Sequence, residues 1–345
     1  MSPSSIEICA GAGGQALGLE QAGFEHASLV ELEPAACATL RVNRPSWNVI
    51  EANVCAYDAE RWKGIDLFAG GVPCPPFSKA GKQLGADDER DLFPEALRLV
   101  GECQPRAVML ENVRGLLDPR FESYRQEILQ SLHKMGFAGQ WRLLNASDFG
   151  VSQLRPRAIL VALRRELMEH FVWPAPCEAP GIGVGPLLLD LMQAGGWEAA
   201  AAGSELADGT APTLVGGSKK HGGPDLGPTR ARTAWATLGV DGRGVADAPP
   251  QPGFAGMPKL TVRMAARVQG FPDHWQFSGR KTAAYRQIGN AFPPPVACAV
   301  GQSIMAALNA AAKSRLPRSD KSARTQQIAD WRRRLAEPRA ASALI

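Results

Sequence analysis

Seven short apolar runs, SIEICA, HASLVE, WNVIEA, IDLFAG, AVMLEN, WRLLNA and AILVAL, recur between residues 5 and 163. Between them lie segments with helical spacing, among them QALGLEQAGF, PAACATLRVN, FPEALRLVGEC and FESYRQEILQSLHKMGF. Strand and helix in alternation build a doubly wound, mostly parallel α/β sheet, because each crossover needs a helix to cover the sheet. Near Trp173 the pattern stops. Residues 174–257 are rich in Gly, Pro and Ala with little periodicity, which predicts a smaller irregular lobe or long functional loops. Helical spacing returns in LTVRMAARVQGF and PPPVACAVGQSIMAALNAAA, so the chain goes back to complete its first domain. The expected division is 1–172, a lobe at 173–257, a return segment at 258–312 and a tail at 313–345.

Composition narrows the function. No apolar run approaches the ~18 residues of a membrane span, and the N-terminus lacks the basic, apolar, small-residue order of a signal peptide. A cytoplasmic protein with no membrane partner is expected. The seven cysteines are scattered without a Cys-x-x-Cys pair, so neither a disulfide framework nor a metal site is indicated, and most should be buried small hydrophobes. The net charge is +4, but from Lys313 onward nine Lys/Arg face three acids. That tail is read as a solvated, flexible terminus or as a non-specific grip on nucleic-acid phosphates.

The first strand ends in IEICAGAGGQALGLE, where Gly11-x-Gly13-x-x-Ala16 fits a dinucleotide-type turn whose glycines let backbone approach a cofactor. About twenty residues on, the second run ends in Glu31, with Glu33 close by, and a carboxylate there accepts both hydroxyls of a ribose. An adenosine-containing cofactor follows, of nicotinamide or methyl-donor type. None of His133, His170, His221 and His274 stands out as a hydride partner, which leaves the nicotinamide alternative weaker.

Cys74 lies just past the fourth run, in GGVPCPPFSKAG, where prolines fix the turn. The fifth run ends in Glu111-Asn112. If those strands are neighbours, about 4.8 Å apart, thiol and carboxylate reach one crevice. A thiolate added at carbon 6 of a cytosine makes carbon 5 nucleophilic, and a carboxyl at ring nitrogen 3 supplies a proton as charge builds on the ring. In NASDFGVSQLRPRAIL, extended chain puts Gln153, Arg155 and Arg157 on one face, so one guanidinium would stabilise thiolate and base carbonyl and the other hold a phosphate.

These elements, in order, resemble the DNA (cytosine-5)-methyltransferase family of the bacterial restriction-modification type. The resemblance covers residues 5 to about 310, through AGAGG with Glu31, GGVPCPPFSKAG, Asp88 to Phe93, MLENVRGLL, SQLRPR, LTVRMAARVQGFPDHW and YRQIGNAFPPPVA. It implies a class I, Rossmann-like methyltransferase domain with a target-recognition lobe. It implies S-adenosyl-L-methionine as donor and transfer of its methyl to carbon 5 of a cytosine flipped out of double-stranded DNA. By this resemblance Cys74 is the nucleophile, Glu111 the proton donor and Arg155, with Arg157, the stabiliser. Ala10, Gly11, Gly13, Gly14, Glu31, Leu32, Asn53, Val54, Pro73 and Asn290 fall on the cofactor side. Asn53 stands where the family commonly has aspartate, and its side-chain carbonyl still accepts a hydrogen bond from adenine. DNA contacts are expected from Ser78, Lys82, Gln153, Thr213, Lys219, Lys220, Arg230 and Arg232. A cognate restriction endonuclease acting on the same site, a monomeric state and association with the nucleoid complete the expectation. The alternatives are a tRNA cytosine-5 methyltransferase and a catalytically silent DNA-binding homologue.

Overall fold

A computed structural model describes residues 2–73, 91–178, 181–217 and 225–315, with side chains to 310. All seven apolar runs are strands: β1 Ser4–Ile8, β2 Glu25–Glu31, β3 Val49–Glu51, β4 Leu67–Gly71, β5 Ala107–Val113, β6 Phe137–Asn145 and β7 Pro156–Arg164. They form one sheet in the order β3-β2-β1-β4-β5-β7-β6. The first five pair in parallel, while β7 runs antiparallel to both β5 and β6. This reversal is the antiparallel part of a sheet expected to be mostly parallel. It follows from the short connection between β6 and β7, which leaves no room for a crossover helix and so forces an antiparallel pair.

The helices are α1 Gly14–Gln21, α2 Pro34–Asn43, α3 Phe93–Cys103, α4 Glu122–Lys134, α5 Arg165–Met168, α6 Val184–Gln193, α7 Ala200–Leu206, α8 Thr229–Ala236, α9 Val262–Val268, α10 Lys281–Asn290 and α11 Pro294–Arg315. On one face of the sheet Ile6, Ile8, Phe68, Val108, Leu110 and Leu160 pack against α3 and α4. On the other, Leu67, Met109, Ile159 and Val161 meet Val296, Val300, Ile304 and Leu308 of α11. Strands covered on both faces read as continuous apolar runs, as these do.

The return segment corrects one expectation. Lys281–Ala310 is long and apolar enough to cross a membrane by length and composition, but 61% of its apolar window is buried inside the protein. Its apolarity is accounted for by α1, against which α11 packs closely enough that a Cβ at Gly18 would stand 2.3 Å from the Pro294 carbonyl oxygen. The middle lobe is also more ordered than its composition suggests. Val184, Leu188 and Met192 repeat at helical spacing and bury one face of α6 with Trp197, Leu214, Leu226 and Trp235. Glycine serves this packing directly, since a Cβ at Gly185 would sit 2.0 Å from the Ser204 carbonyl oxygen. Among the other cysteines, Cys37 and Cys103 are buried, whereas Cys55 and Cys177 are exposed rather than core residues.

Candidate active site

Because β1, β2, β4 and β5 are parallel, their carboxyl ends share one edge of the sheet, and strand order reverses direction between β1 and β4. Open α/β sheets bind ligands at such a switch point. Here it carries a cavity of about 290 Å³, lined by Cys9, Ala10, Gly11 and Gly14 after β1, Glu31 at the end of β2, Gly71 and Pro73 after β4, Glu111 on β5, and Arg286 and Asn290 of α10. The volume is at the lower end for small-molecule sites.

The glycine turn has the conformation its sequence requires. Gly11 and Gly13 have φ of 55° and 82°, the left-handed region where a side chain is disfavoured. Cys9 shares that region at φ 52°, a conformation costly for a non-glycine residue. Burial, with Glu31 and Glu7 nearby, pushes its thiol far up, so it is inert as a nucleophile. A Cβ at Gly14 would lie 2.2 Å from the Phe292 carbonyl oxygen, so the turn fits against the return segment only without one. Trp275 holds the turn from outside, its Nε1 donating to the Ala12 carbonyl at 3.1 Å. The Glu31 carboxylate accepts from the Gly11 N–H at 2.7 Å and from the Leu32 and Glu33 N–H groups at 2.9 and 2.8 Å. Three backbone donors thus fix its orientation at the cavity wall. Leu32 stands 58% exposed beside it. Asn53 is exposed and its Oδ1 accepts from the Cys55 N–H at 3.0 Å, with Val54 buried behind it; neither lines the cavity.

Sheet register brings the second half of the site together. Gly71 pairs with Glu111, and the Asn112 side chain donates to the Val72 carbonyl at 2.7 Å, tying the two strand ends. That tie went unnoticed in the sequence, where Asn112 reads only as the neighbour of Glu111. The Pro73 carbonyl accepts from the Leu92 N–H at 3.3 Å, which holds the strand end of β4 beside the start of α3. Cys74, Ser78 and Lys82 lie outside the described residues, as do Lys219 and Lys220.

Glu111 is 8% exposed and its Oε1 lies 2.6 Å from the Arg157 Nε. Burial raises its pKa, with the Arg157 and Arg155 charges pulling the other way. The two arginines differ in what they hold. Arg155 is 1% exposed, and its Nη1 donates to the Leu214 carbonyl at 2.8 Å while its Nη2 donates to those of Gly289 and Ala291 at 2.8 and 2.9 Å. Its terminal nitrogens are therefore spent on joining the middle lobe to α10, not aimed at a base. Gln153 is 0% exposed, with Nε2 on the Gln269 Oε1 at 2.8 Å and Oε1 on the Leu214 N–H at 2.8 Å. A side chain so enclosed is a strut of the lobe, and the expected DNA contact does not agree with its position. The shared face failed because only Arg157 lies within β7; Gln153 instead bridges to Ala211.

Thr213 donates its hydroxyl to the Leu154 carbonyl, next to that strut. Asn290 reaches across to the Gly217 carbonyl at 3.2 Å. Arg230 is exposed on α8, and Arg232 on the same helix donates to the Thr229 hydroxyl at 3.1 Å. Among the described residues no group of three or more His, Cys, Asp or Glu is placed to hold a metal.

Sheet order, reversed seventh strand and glycine-cradled cavity together define a class I methyltransferase fold. The sequence profile of the C-5 cytosine-specific DNA methylase family matches residues 4–182 and 232–306, and the chain belongs to that family. It is 61% identical over 310 residues to the Type II methyltransferase M.NaeI of Lentzea aerocolonigenes, covering 88% of this chain and 75% of that protein. With the Type II methyltransferase M.NgoMIV of Neisseria gonorrhoeae it shares 58% over 311 residues, 89% of this chain and 99% of the other. The protein is thus a C-5 cytosine DNA methyltransferase of the type II restriction-modification kind. In structure it is similar to the Dnmt2 methyltransferase of S. pombe, with a TM-score of 0.60 at 15% identity over 89% of this chain and 99% of that one, a likeness of fold.

Proposed function

We propose that the protein moves a methyl group from S-adenosyl-L-methionine to carbon 5 of a cytosine in a short sequence of double-stranded DNA, through a covalent bond to Cys74. The observation that carries this reading is the Glu111–Arg157 pair, whose Glu111 lines, with Pro73, the same glycine-cradled cavity that Glu31 bounds. The cavity's residues fit the cofactor: Glu31 for the ribose hydroxyls and the bare turn at Gly11 and Gly14 for close backbone approach, with Ala10, Pro73 and Asn290 on the same lining; Gly13, Leu32, Asn53 and Val54 stand outside it and are assigned to the cofactor's surroundings. When bound, the cofactor supplies an electrophilic methyl on a sulfonium.

The chain's own groups do the rest. The target base leaves its stack, because a stacked ring offers no face to a thiol. The Cys74 thiolate forms a bond to carbon 6, and the electron pair displaced from the ring is relieved by a proton from Glu111 to nitrogen 3. Arg157 orients Glu111 and neutralises charge at the base carbonyl. Carbon 5 takes the methyl; a base then removes its proton, the freed pair re-forms the carbon 5–carbon 6 double bond and expels the Cys74 thiolate, and nitrogen 3 gives its proton back to Glu111. Arg155 serves as a positioning residue. Ser78, Lys82, Lys219, Lys220, Arg230 and Arg232 supply phosphate and base contacts, with Thr213 near the centre of the recognition lobe. We assign residues 1–172 and 258–312 to the catalytic domain and 173–257 to target recognition, and read the protein as a cytoplasmic monomer sharing its DNA site with a cognate endonuclease.

Expression in a host without cytosine methylation, followed by bisulfite sequencing, tests the activity and yields the target sequence. Parallel assays on duplex DNA and on tRNA address the alternative substrate, and methylation of tRNA alone would overturn the reading.

A further inference from the structure

Leu154 stands 49% exposed, while its two chain neighbours are fully enclosed, Gln153 at 0% and Arg155 at 1%. Both neighbours hold Leu214 of the middle lobe: the Gln153 Oε1 accepts from its N–H and the Arg155 Nη1 donates to its carbonyl, each at 2.8 Å. The Leu154 backbone is bonded on both sides as well, its N–H donating to the Ala211 carbonyl at 2.7 Å and its carbonyl accepting from the Thr213 hydroxyl. A single exposed leucine on a protein surface needs no explanation. A leucine presented to water by a backbone fixed at every point does, because the segment cannot turn to cover it.

Its place is beside the reacting groups. β7 begins at Pro156 and runs antiparallel to β5, so its first residues stand at the carboxyl edge of the sheet, with Glu111. Arg157 carries the guanidinium beside Glu111, and Leu154 precedes it by three residues, so their Cα atoms lie within about 11 Å of each other. On its other side Leu154 adjoins Ala211 and Thr213 of the middle lobe. It therefore sits on the seam between the lobe and the Glu111–Arg157 pair. The base faces uncovered when a nucleotide leaves its stack are apolar, and an apolar side chain held there gains a partner only at that moment.

We propose that Leu154 is a wedge for base flipping: it enters the gap that the target cytosine leaves and packs on the flanking base pairs, which holds the flipped state open for Cys74. This rests on the reading of the protein as a methyltransferase acting on a flipped cytosine in duplex DNA. Unstacking a base is unfavourable, and burial of a leucine side chain against the bases on either side offsets part of that cost. Rigidity serves the same end, since a side chain whose backbone is already fixed loses little freedom on insertion. Leu154 is thus a positioning residue. It acts on the equilibrium that precedes bond formation, not on the chemistry at carbon 6.

The test compares the full chain with its Leu154→Ala, Leu154→Gln and Leu154→Met variants on duplexes of the mapped target sequence in two forms. One has guanine opposite the target cytosine; the other has an abasic site there, so that no base pair has to be broken. On the paired duplex the alanine and glutamine variants should slow single-turnover methylation by about tenfold or more, the effect of losing one buried apolar side chain. On the abasic duplex they should stay within about threefold of the parent, because flipping is no longer uphill. Leu154→Met, which keeps an apolar wedge, should restore the rate on the paired duplex. With 2-aminopurine in place of the target cytosine, fluorescence should rise when the parent binds and rise less with the alanine variant. Equal losses on the two duplexes would show that Leu154 serves the fold or a contact outside the gap, and unchanged rates on both would show that it has no part in flipping; either result overturns the inference. So would a 2-aminopurine signal that the alanine variant keeps in full. A parent that methylates neither duplex would instead remove the methyltransferase reading, and the inference with it.

Discussion

The Arg157 Nε lies 2.6 Å from the Glu111 Oε1, while Arg155, two residues earlier, gives its terminal nitrogens to the backbone carbonyls of Leu214, Gly289 and Ala291. One guanidinium thus faces the chemistry and the other holds two parts of the molecule together. Substitution should separate them. Arg157→Ala should slow methyl transfer by about 10²–10⁴, and Arg157→Ala combined with Glu111→Gln should recover part of any loss in Tm, because the buried carboxylate then no longer lacks its partner. Arg155→Ala takes the guanidinium from the buried Leu214 and Gly289 carbonyls, the Ala291 carbonyl keeping the Gln269 amide, and should cost about 3–5 kcal/mol of stability, read by denaturant unfolding. An Arg155→Ala variant as stable as the parent would contradict the positioning role.

For Glu111 the expectation is a pH effect. Burial raises its pKa, so the acid form needed at nitrogen 3 persists to higher pH than for an exposed carboxylate. Single-turnover rates should fall on the alkaline side as pH rises through the raised value, while the need to ionise the Cys74 thiol sets the ascending limb on the acid side. Glu111→Gln should be slower by about 10²–10⁴ and lose that descending limb. A variant that keeps the limb would assign it to another group.

Cys74→Ser should leave DNA and cofactor affinity within about tenfold while transfer collapses, because a hydroxyl is a far weaker nucleophile near neutral pH. Duplexes carrying 5-fluorocytosine at the mapped site should trap the parent protein covalently and leave the variant free. Near-normal turnover by the serine form would remove the covalent scheme.

His26 gives the fold an acid sensitivity. Its ring is enclosed between the Ser5 hydroxyl at 2.9 Å and the Ala16 carbonyl at 2.8 Å, with Trp47 edge-on at 4.8 Å. Burial lowers its pKa below the ordinary value of 6.5. The unfolded chain therefore takes up its proton first as pH falls, so the stability that His26 contributes is full above about 6.5 and is lost below it, down to the folded pKa. Tm measured from pH 7.5 to 5 should drop, and His26→Gln should flatten that part of the curve. An unchanged slope in the variant would place the acid sensitivity elsewhere.

Seven strands and the first four helices were legible because each buries a face, and burial imposes a period on the residues that provide it. The glycine turn, Glu31, Pro73 and Glu111 were legible for a related reason: backbone conformation and strand-end position are local properties, and the parallel order of β1, β2, β4 and β5 carries them to one edge. The reversal of β7 was not, since strand direction depends on which neighbour the chain meets. Nor were the separate duties of Gln153, Arg155 and Arg157. Alternation along an extended chain says that side chains share a face, but what each guanidinium or amide holds is set by distant backbone groups, carbonyls 59 to 136 residues from Arg155 and the Leu214 N–H for Gln153. The sequence by itself determined the strands, the turn and the chemical groups of this methyltransferase. Tertiary packing alone decided which groups were left free to act, because hydrogen-bond partners distant along the chain consume donors that sequence can only count.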